Sequence, residues 1–129
     1  MRLAKALTLV LCITCFASMA LAQPEPGDLG VFADAAGTQT TGVATPFVQT
    51  DFYVIAFDAP GGYKGYEFEI SVPPTITVLG RVLNPPTALN VGAGDNFIVG
   101  TGGCISSAGP TVLVTYTGLW FAPPVDDIV

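Results

Sequence analysis

Glu67 and Glu69 stand two residues apart in the stretch Gly65 to Val72, which reads G-Y-E-F-E-I-S-V. On a strand that spacing sets two carboxylates roughly 6.5–7 Å apart, from the rise per residue. Glycosidases use paired carboxylates at such separations. The rest of the chain adds nothing to that chemistry. It has no histidine, which removes the usual general base and the commonest metal ligand. A Ser-His-Asp or Cys-His nucleophile and a zinc site of His and Cys are excluded with it. Period-two alternation already puts Glu67 and Glu69 on the wet face of a strand. The solvent-face reading therefore takes precedence, and no catalytic residue is assigned.

Three other groups of residues bear on binding. Tyr63, Lys64 and Tyr66 cluster where a turn meets a strand, and rings there can stack on a sugar or a partner surface. They are the candidate ligand contacts, although Tyr66 falls on the apolar set of its strand and is expected to point into the core. Asp95-Asn96 in a Gly-rich turn and Asp126-Asp127 near the end of the chain offer hard oxygen donors of the kind calcium takes. Neither matches the EF-hand loop, and turn Asp and Asn mostly serve local backbone bonds. A structural calcium is thus a secondary idea, and no cofactor is assigned. Cys12 and Cys15 lie near the N-terminus, so Cys104 is alone in the remainder. It cannot form an internal disulfide there and is expected to be buried or partly buried.

These residues are positioned by strands. In the stretch Gly65 to Val72, Tyr66, Phe68, Ile70 and Val72 alternate with Glu67, Glu69 and Ser71, which is a strand with one face in a core and one in water. Leu29 to Ala33 forms a first strand, followed by a polar, Gly/Thr-rich loop from Asp34 to Ala44. Asp51 to Ala59 is apolar on both alternating sets, so that strand is expected to be covered on both sides. Pro60-Gly61-Gly62-Tyr63-Lys64 reads as a turn that joins it to the next strand, as a hairpin or as neighbours on a short loop. Pro73-Pro74 ends that strand, because proline lacks the donor a ladder needs. Thr75 to Leu83 resumes extended structure, with Gly80 marking a bulge or bend. Asn84-Pro85-Pro86 is the next break, Ala88 to Val91 is at most a short strand, and Asn96 to Val99 is another. Gly100 to Pro110 reads as a Gly/Ser loop. Thr111 to Phe121 is the longest strand, with Val112, Val114, Tyr116 and Trp120 on one face and Leu113, Thr115, Thr117, Leu119 and Phe121 on the other. Short strands, regular Gly/Pro breaks and a charged fraction of 11% predict an all-β, two-sheet antiparallel β-sandwich.

Residues 1–22 read as a secretory signal peptide. Arg2 and Lys5 precede an apolar run from Ala6 to Ala17, and Ala20-Leu21-Ala22 has the small-x-small form of a cleavage site, with Ala20 and Ala22 as its small residues. The run falls short of the roughly 20 residues a bilayer span needs. Residues 23–28 are then a flexible lead-in, and residues 29–129 are one domain. The expected location is secreted or extracytoplasmic: periplasm, cell surface or extracellular. Removal of the signal leaves Lys64 and Arg81 against ten acidic residues, a net charge of −8 where the whole chain carries −6. So acidic a surface argues against a nucleic-acid partner, since phosphate contacts need clustered Lys and Arg. No segment after the signal is long and apolar enough to span a membrane.

The run Gly65 to Pro74 followed by Thr75 to Leu79 resembles the G-F-x-F-x-L-x-Y-D-P-x-x-L-x-V pattern of cohesin-type domains. Thr111 to Tyr116 is similar to the later L-x-x-L/I-x-F strand of those domains. The early L-G-V-F-A-D segment, Leu29 to Asp34, and N-F-I-V-G, Asn96 to Gly100, also resemble segments of small secreted bacterial proteins of unassigned function. The resemblance spans roughly residues 29–121. It implies a jelly-roll sandwich of nine strands, shared by cohesins and certain carbohydrate-binding modules, in a non-catalytic binding or structural module. The implied partner is a protein docked on a sheet face or, alternatively, a glycan stacked on aromatics. The chain departs from the pattern where Val72 and Pro73 replace the D-P pair. It also stops at Val129, where a cohesin carries one more strand, so the resemblance implies a missing last strand or a truncated product.

Overall fold

The structure is a computed structural model that describes residues 25–121. None of the described residues is helical. Seven strands follow in chain order: β1 Leu29–Phe32, β2 Gln49–Ala56, β3 Ala59–Glu69, β4 Ile76–Leu83, β5 Leu89–Asn90, β6 Asn96–Ser107 and β7 Thr111–Trp120. They form two antiparallel sheets, one of four strands in the order β1-β2-β7-β4 and one of three in the order β3-β6-β5. This is the all-β, two-sheet arrangement the alternation predicts. Among the described residues the seven strands are those that the residue pattern marks. The expected signal, with Ala20 and Ala22, and the pair Asp126-Asp127 lie outside the described residues.

The core lies between the sheets. Phe52, Val54 and Ala56 of β2 and Val114, Tyr116 and Trp120 of β7 meet Phe97 and Val99 of β6, all of them buried. Rings connect the two sheets in sequence. Tyr66 stacks on Phe68 at 5.7 Å and Phe68 on Phe97 at 4.9 Å. Phe97 meets Tyr116 edge-on at 6.0 Å, and Tyr116 stacks on Phe52 at 4.7 Å. Each such pair contributes about 0.5–1.5 kcal/mol beyond its buried area. Tyr66, Phe68, Ile70 and Val72 all pack against this core while Glu67, Glu69 and Ser71 are exposed. The alternation thus places those side chains correctly, including Ile70 and Val72, which follow the end of β3.

β2 is covered on both sides, as its double apolar pattern predicts. Val54 faces the core, while Ile55, of the opposite set, is fully buried. Part of its cover comes from the 34–44 loop. A Cβ built on Gly37 would sit 3.1 Å from the Phe57 ring and 3.3 Å from Ile55 Cδ1, so only a residue without a side chain brings the loop this close. Asp34 holds the loop in shape, its carboxylate accepting from the Thr38 amide (2.9 Å), the Thr38 hydroxyl (2.8 Å) and the Gln39 amide (2.7 Å). The described end of the lead-in is a turn. The Gly27 amide donates to the Phe57 carbonyl at 2.6 Å and the Phe57 amide to the Asp28 carbonyl at 2.9 Å.

Four expectations are corrected. First, Pro60 to Lys64 does not reverse the chain. β3 runs through it, with Gly61 and Gly62 at φ +99° and +72° and register shifts on both sides of Tyr63. The left-handed glycines bulge the strand instead of folding it back. Second, β2 and β3 form no hairpin. They belong to different sheets, and Phe57 and Asp58 carry the chain between them. Third, most of Gly100 to Pro110 is strand. β6 extends to Ser107, its far end paired with the glycine-bulged half of β3. Fourth, Leu113 shares the core with Val114, both fully buried. The ladder skips Leu113, since Val54 faces Val114 and Ile55 faces Val112, and a bulge of this kind turns two successive side chains inward. The expected irregularity at Gly80 is present, as a register shift between Val78 and Gly80.

Candidate functional site

The candidate contacts Tyr63, Lys64 and Tyr66 do not form a platform of rings. Tyr63 packs against the core, and its hydroxyl is buried without a hydrogen-bond partner among the described residues. Tyr66 packs against the core as its phase predicts, and its hydroxyl donates to the Leu113 carbonyl across the sandwich at 3.0 Å. Burial pushes that hydroxyl up to about 12. Lys64 is exposed between them. Glu67 and Glu69 lie exposed on the outer face of β3, opposite Ile98 and Asn96 of β6.

The Asp95 carboxylate already has a cation. Arg81 Nε donates to it at 3.0 Å, and Arg81 Nη2 bonds the same oxygen in an ion pair. The Arg81 guanidinium lies 5.4 Å from the centre of the Tyr116 ring, and the Asp95 main-chain carbonyl accepts from the Ile70 amide at 3.0 Å. Asp95 therefore ties β4 of one sheet to the turn before β6 of the other, with its Oδ1 held by the guanidinium. Among the described residues no three His, Cys, Asp or Glu side chains come together as a metal site would require. Cys104 is exposed rather than buried. It sits in the extension of β6 beyond the core, where its thiol donates to the Gly61 carbonyl at 3.3 Å.

The residues that stand out on the surface are ones the alternation argument passed over. Ile98 pairs with Glu67 on β3, and Val91 donates its amide to the Ile98 carbonyl at 3.0 Å on the other side. Leu89 pairs with Gly100, which pairs with Gly65. Residues directly opposite in a ladder share a face. The outer face of the three-stranded sheet thus carries Ile98, Val91 and Leu89 beside Glu67 and Glu69, with bare backbone at Gly65 and Gly100. Ile98 is 42%, Leu89 67% and Val91 70% exposed, against 1% for Phe97 and 4% for Val99 on the inner face. The signal was in the phase. Ile98 is an apolar residue between two core residues, and Leu89 and Val91 flank Asn90.

Two aromatic rings are also exposed. Phe47, just before β2, and Phe121, just after β7, meet edge-to-face at 5.9 Å, and Phe47 has φ +63°. Among the described residues no helix is long and apolar enough to cross a membrane. Comparison with protein-family models, with curated proteins and with solved structures finds no match to this chain.

Proposed function

We propose that the protein is a non-catalytic binding module, exported from the cytoplasm, that docks another protein on the outer face of its three-stranded sheet in the manner the cohesin resemblance implies. The observation that carries this reading is the exposed aliphatic group Leu89, Val91 and Ile98, set beside two carboxylates. Clustered exposed aliphatic side chains with a charged border are characteristic of protein-binding surfaces. Glu67 and Glu69 next to them select a partner segment that combines branched aliphatic residues with Lys or Arg. Export rests on the order of basic start, apolar run and small-x-small site in residues 1–22.

The test is a displayed peptide library panned on the purified protein, with a glycan array alongside. Enrichment of basic–aliphatic peptides that bind the wild type and are lost on Ile98→Asp supports the reading. Peptides indifferent to Ile98→Asp, or no enrichment at all, overturn it. A second reading, glycan binding, draws on the exposed Phe47–Phe121 pair, and array binding abolished by Phe47→Ala favours it. The edge-to-face geometry of that pair offers a sugar less flat surface than parallel rings, which ranks this reading second.

A further inference from the structure

At the β1 side of the four-stranded sheet, away from the proposed docking face, residues 39–44 leave a cavity of about 210 Å³ against β1, β2 and β7. Buried Ala44, Phe52 and Trp120 line it, together with the uncharged Gln39 and Thr50. Both walls are preformed. On the loop side the Ala33 amide donates to the Gln39 carbonyl at 2.8 Å. A Cβ built on Gly42 would sit 2.7 Å from the Ala33 Cβ, so the absence of a side chain lets the loop close against the end of β1. On the sheet side Trp120 meets Phe52 edge-on at 6.3 Å, and Phe52 stacks on Tyr116 at 4.7 Å. Both rings pack over Gly118, where a Cβ would lie 3.2 Å from Trp120 and 3.5 Å from Phe52. An engineered apolar cavity of about 150 Å³ takes up benzene, so the present volume has room for one ring with a short substituent.

The lining offers no charge to a ligand. Asp51 is its one charged residue. Its Oδ1 accepts from the Thr117 hydroxyl at 2.7 Å, and Thr117 stands directly opposite Asp51 in the β2–β7 ladder. That pair lies on the other face of the sheet from Phe52 and Tyr116, which are the next pair along the ladder. We infer that this cavity binds a small uncharged molecule with a single ring, the ring against Phe52 and Trp120 and any polar substituent towards Gln39 and Thr50. A charged molecule of the same size would give up water for a lining that returns no opposite charge. The site uses none of the residues of the docking face, so it stands or falls separately from that reading.

Trp120 is the one tryptophan of the chain, so its fluorescence reports occupancy directly. Benzyl alcohol, benzylammonium and benzoate, which share a ring and differ in charge, are titrated into the purified protein. The expected result is a saturable change with benzyl alcohol at millimolar concentration, with each charged analogue weaker by about tenfold or more. Gly42→Ala, in an exposed part of the loop, forces the loop away from Ala33 and should weaken the alcohol by about threefold or more, since a close-packed wall does not give without moving. Ile98→Asp should leave the binding unchanged. Amide shifts in the wild type should fall on residues 39–44 and Thr50, a map that needs no variant. The proposal is overturned if either charged analogue binds as well as the alcohol or if Gly42→Ala leaves the affinity unchanged. It is equally overturned if the shifts fall elsewhere, or if millimolar alcohol changes nothing.

Discussion

β2 of one sheet and β6 of the other carry the same kind of sequence and use it differently. In the four-stranded sheet, β2 hides Ile55 on the face opposite the core beneath the 34–44 loop. In the three-stranded sheet, Ile98 occupies the comparable place, out of phase with the core residues on either side, and is 42% exposed. An apolar residue on a second face thus has two fates. A covered one adds to stability, and an uncovered one adds little and is left free to bind.

The sharpest way to break this comparison is to truncate both isoleucines. Ile55→Ala should cost about 2–5 kcal/mol in urea unfolding, because it opens a cavity in a packed site. Ile98→Ala should cost under about 1 kcal/mol, as surface substitutions do. Equal losses would mean that the two faces are alike. Next in size is Gly37→Ala. With φ +69° and the Phe57 ring 3.1 Å from a built Cβ, it should cost about 1–2 kcal/mol for the left-handed backbone alone. It should also raise hydrogen exchange in the loop, with β3 and β6 unaffected. Asp95→Ala should cost roughly 0.5–1 kcal/mol by the same urea assay, since the pair it breaks with Arg81 is about one-third exposed on each side. High salt should shrink that difference.

The smallest effect is on pH. Desolvation, the largest single influence, works to raise the Asp34 carboxyl, but hydrogen bonds from Gln39 and Thr38 together outweigh it and hold the group below its ordinary value of 3.8. A lowered carboxyl stabilises the fold above the ordinary value and loses that contribution as pH falls through the lowered one. Protection of the Thr38 and Gln39 amides, relative to intrinsic exchange, should therefore fall as pH drops below 3.8. Asp34→Asn should remove the pH dependence.

Much of the fold was legible because two-fold alternation and proline breaks act locally. The inward set Tyr66 to Val72 and the double burial of β2 follow from neighbouring residues alone, whereas β3 ends at Glu69, ahead of Pro73-Pro74. What was not legible depends on pairing. Whether Gly61-Gly62 turns or bulges is decided by the presence of the far half of β6 across from it, and Leu113 joins the core because of a register shift set by β2. The candidate site divides along the same line. The inward phase of Tyr66 could be read directly, whereas the exposure of Ile98, Leu89 and Val91 needed the knowledge that no other described residue packs over them.

Amide chemical-shift mapping with a basic–aliphatic peptide from the panning tests the difference between the sheets most directly. The account predicts shifts confined to Leu89 to Val91, Ile98 to Gly100 and Gly65 to Glu69. Shifts centred on β1 and β2, or spread evenly over both sheets, would contradict it.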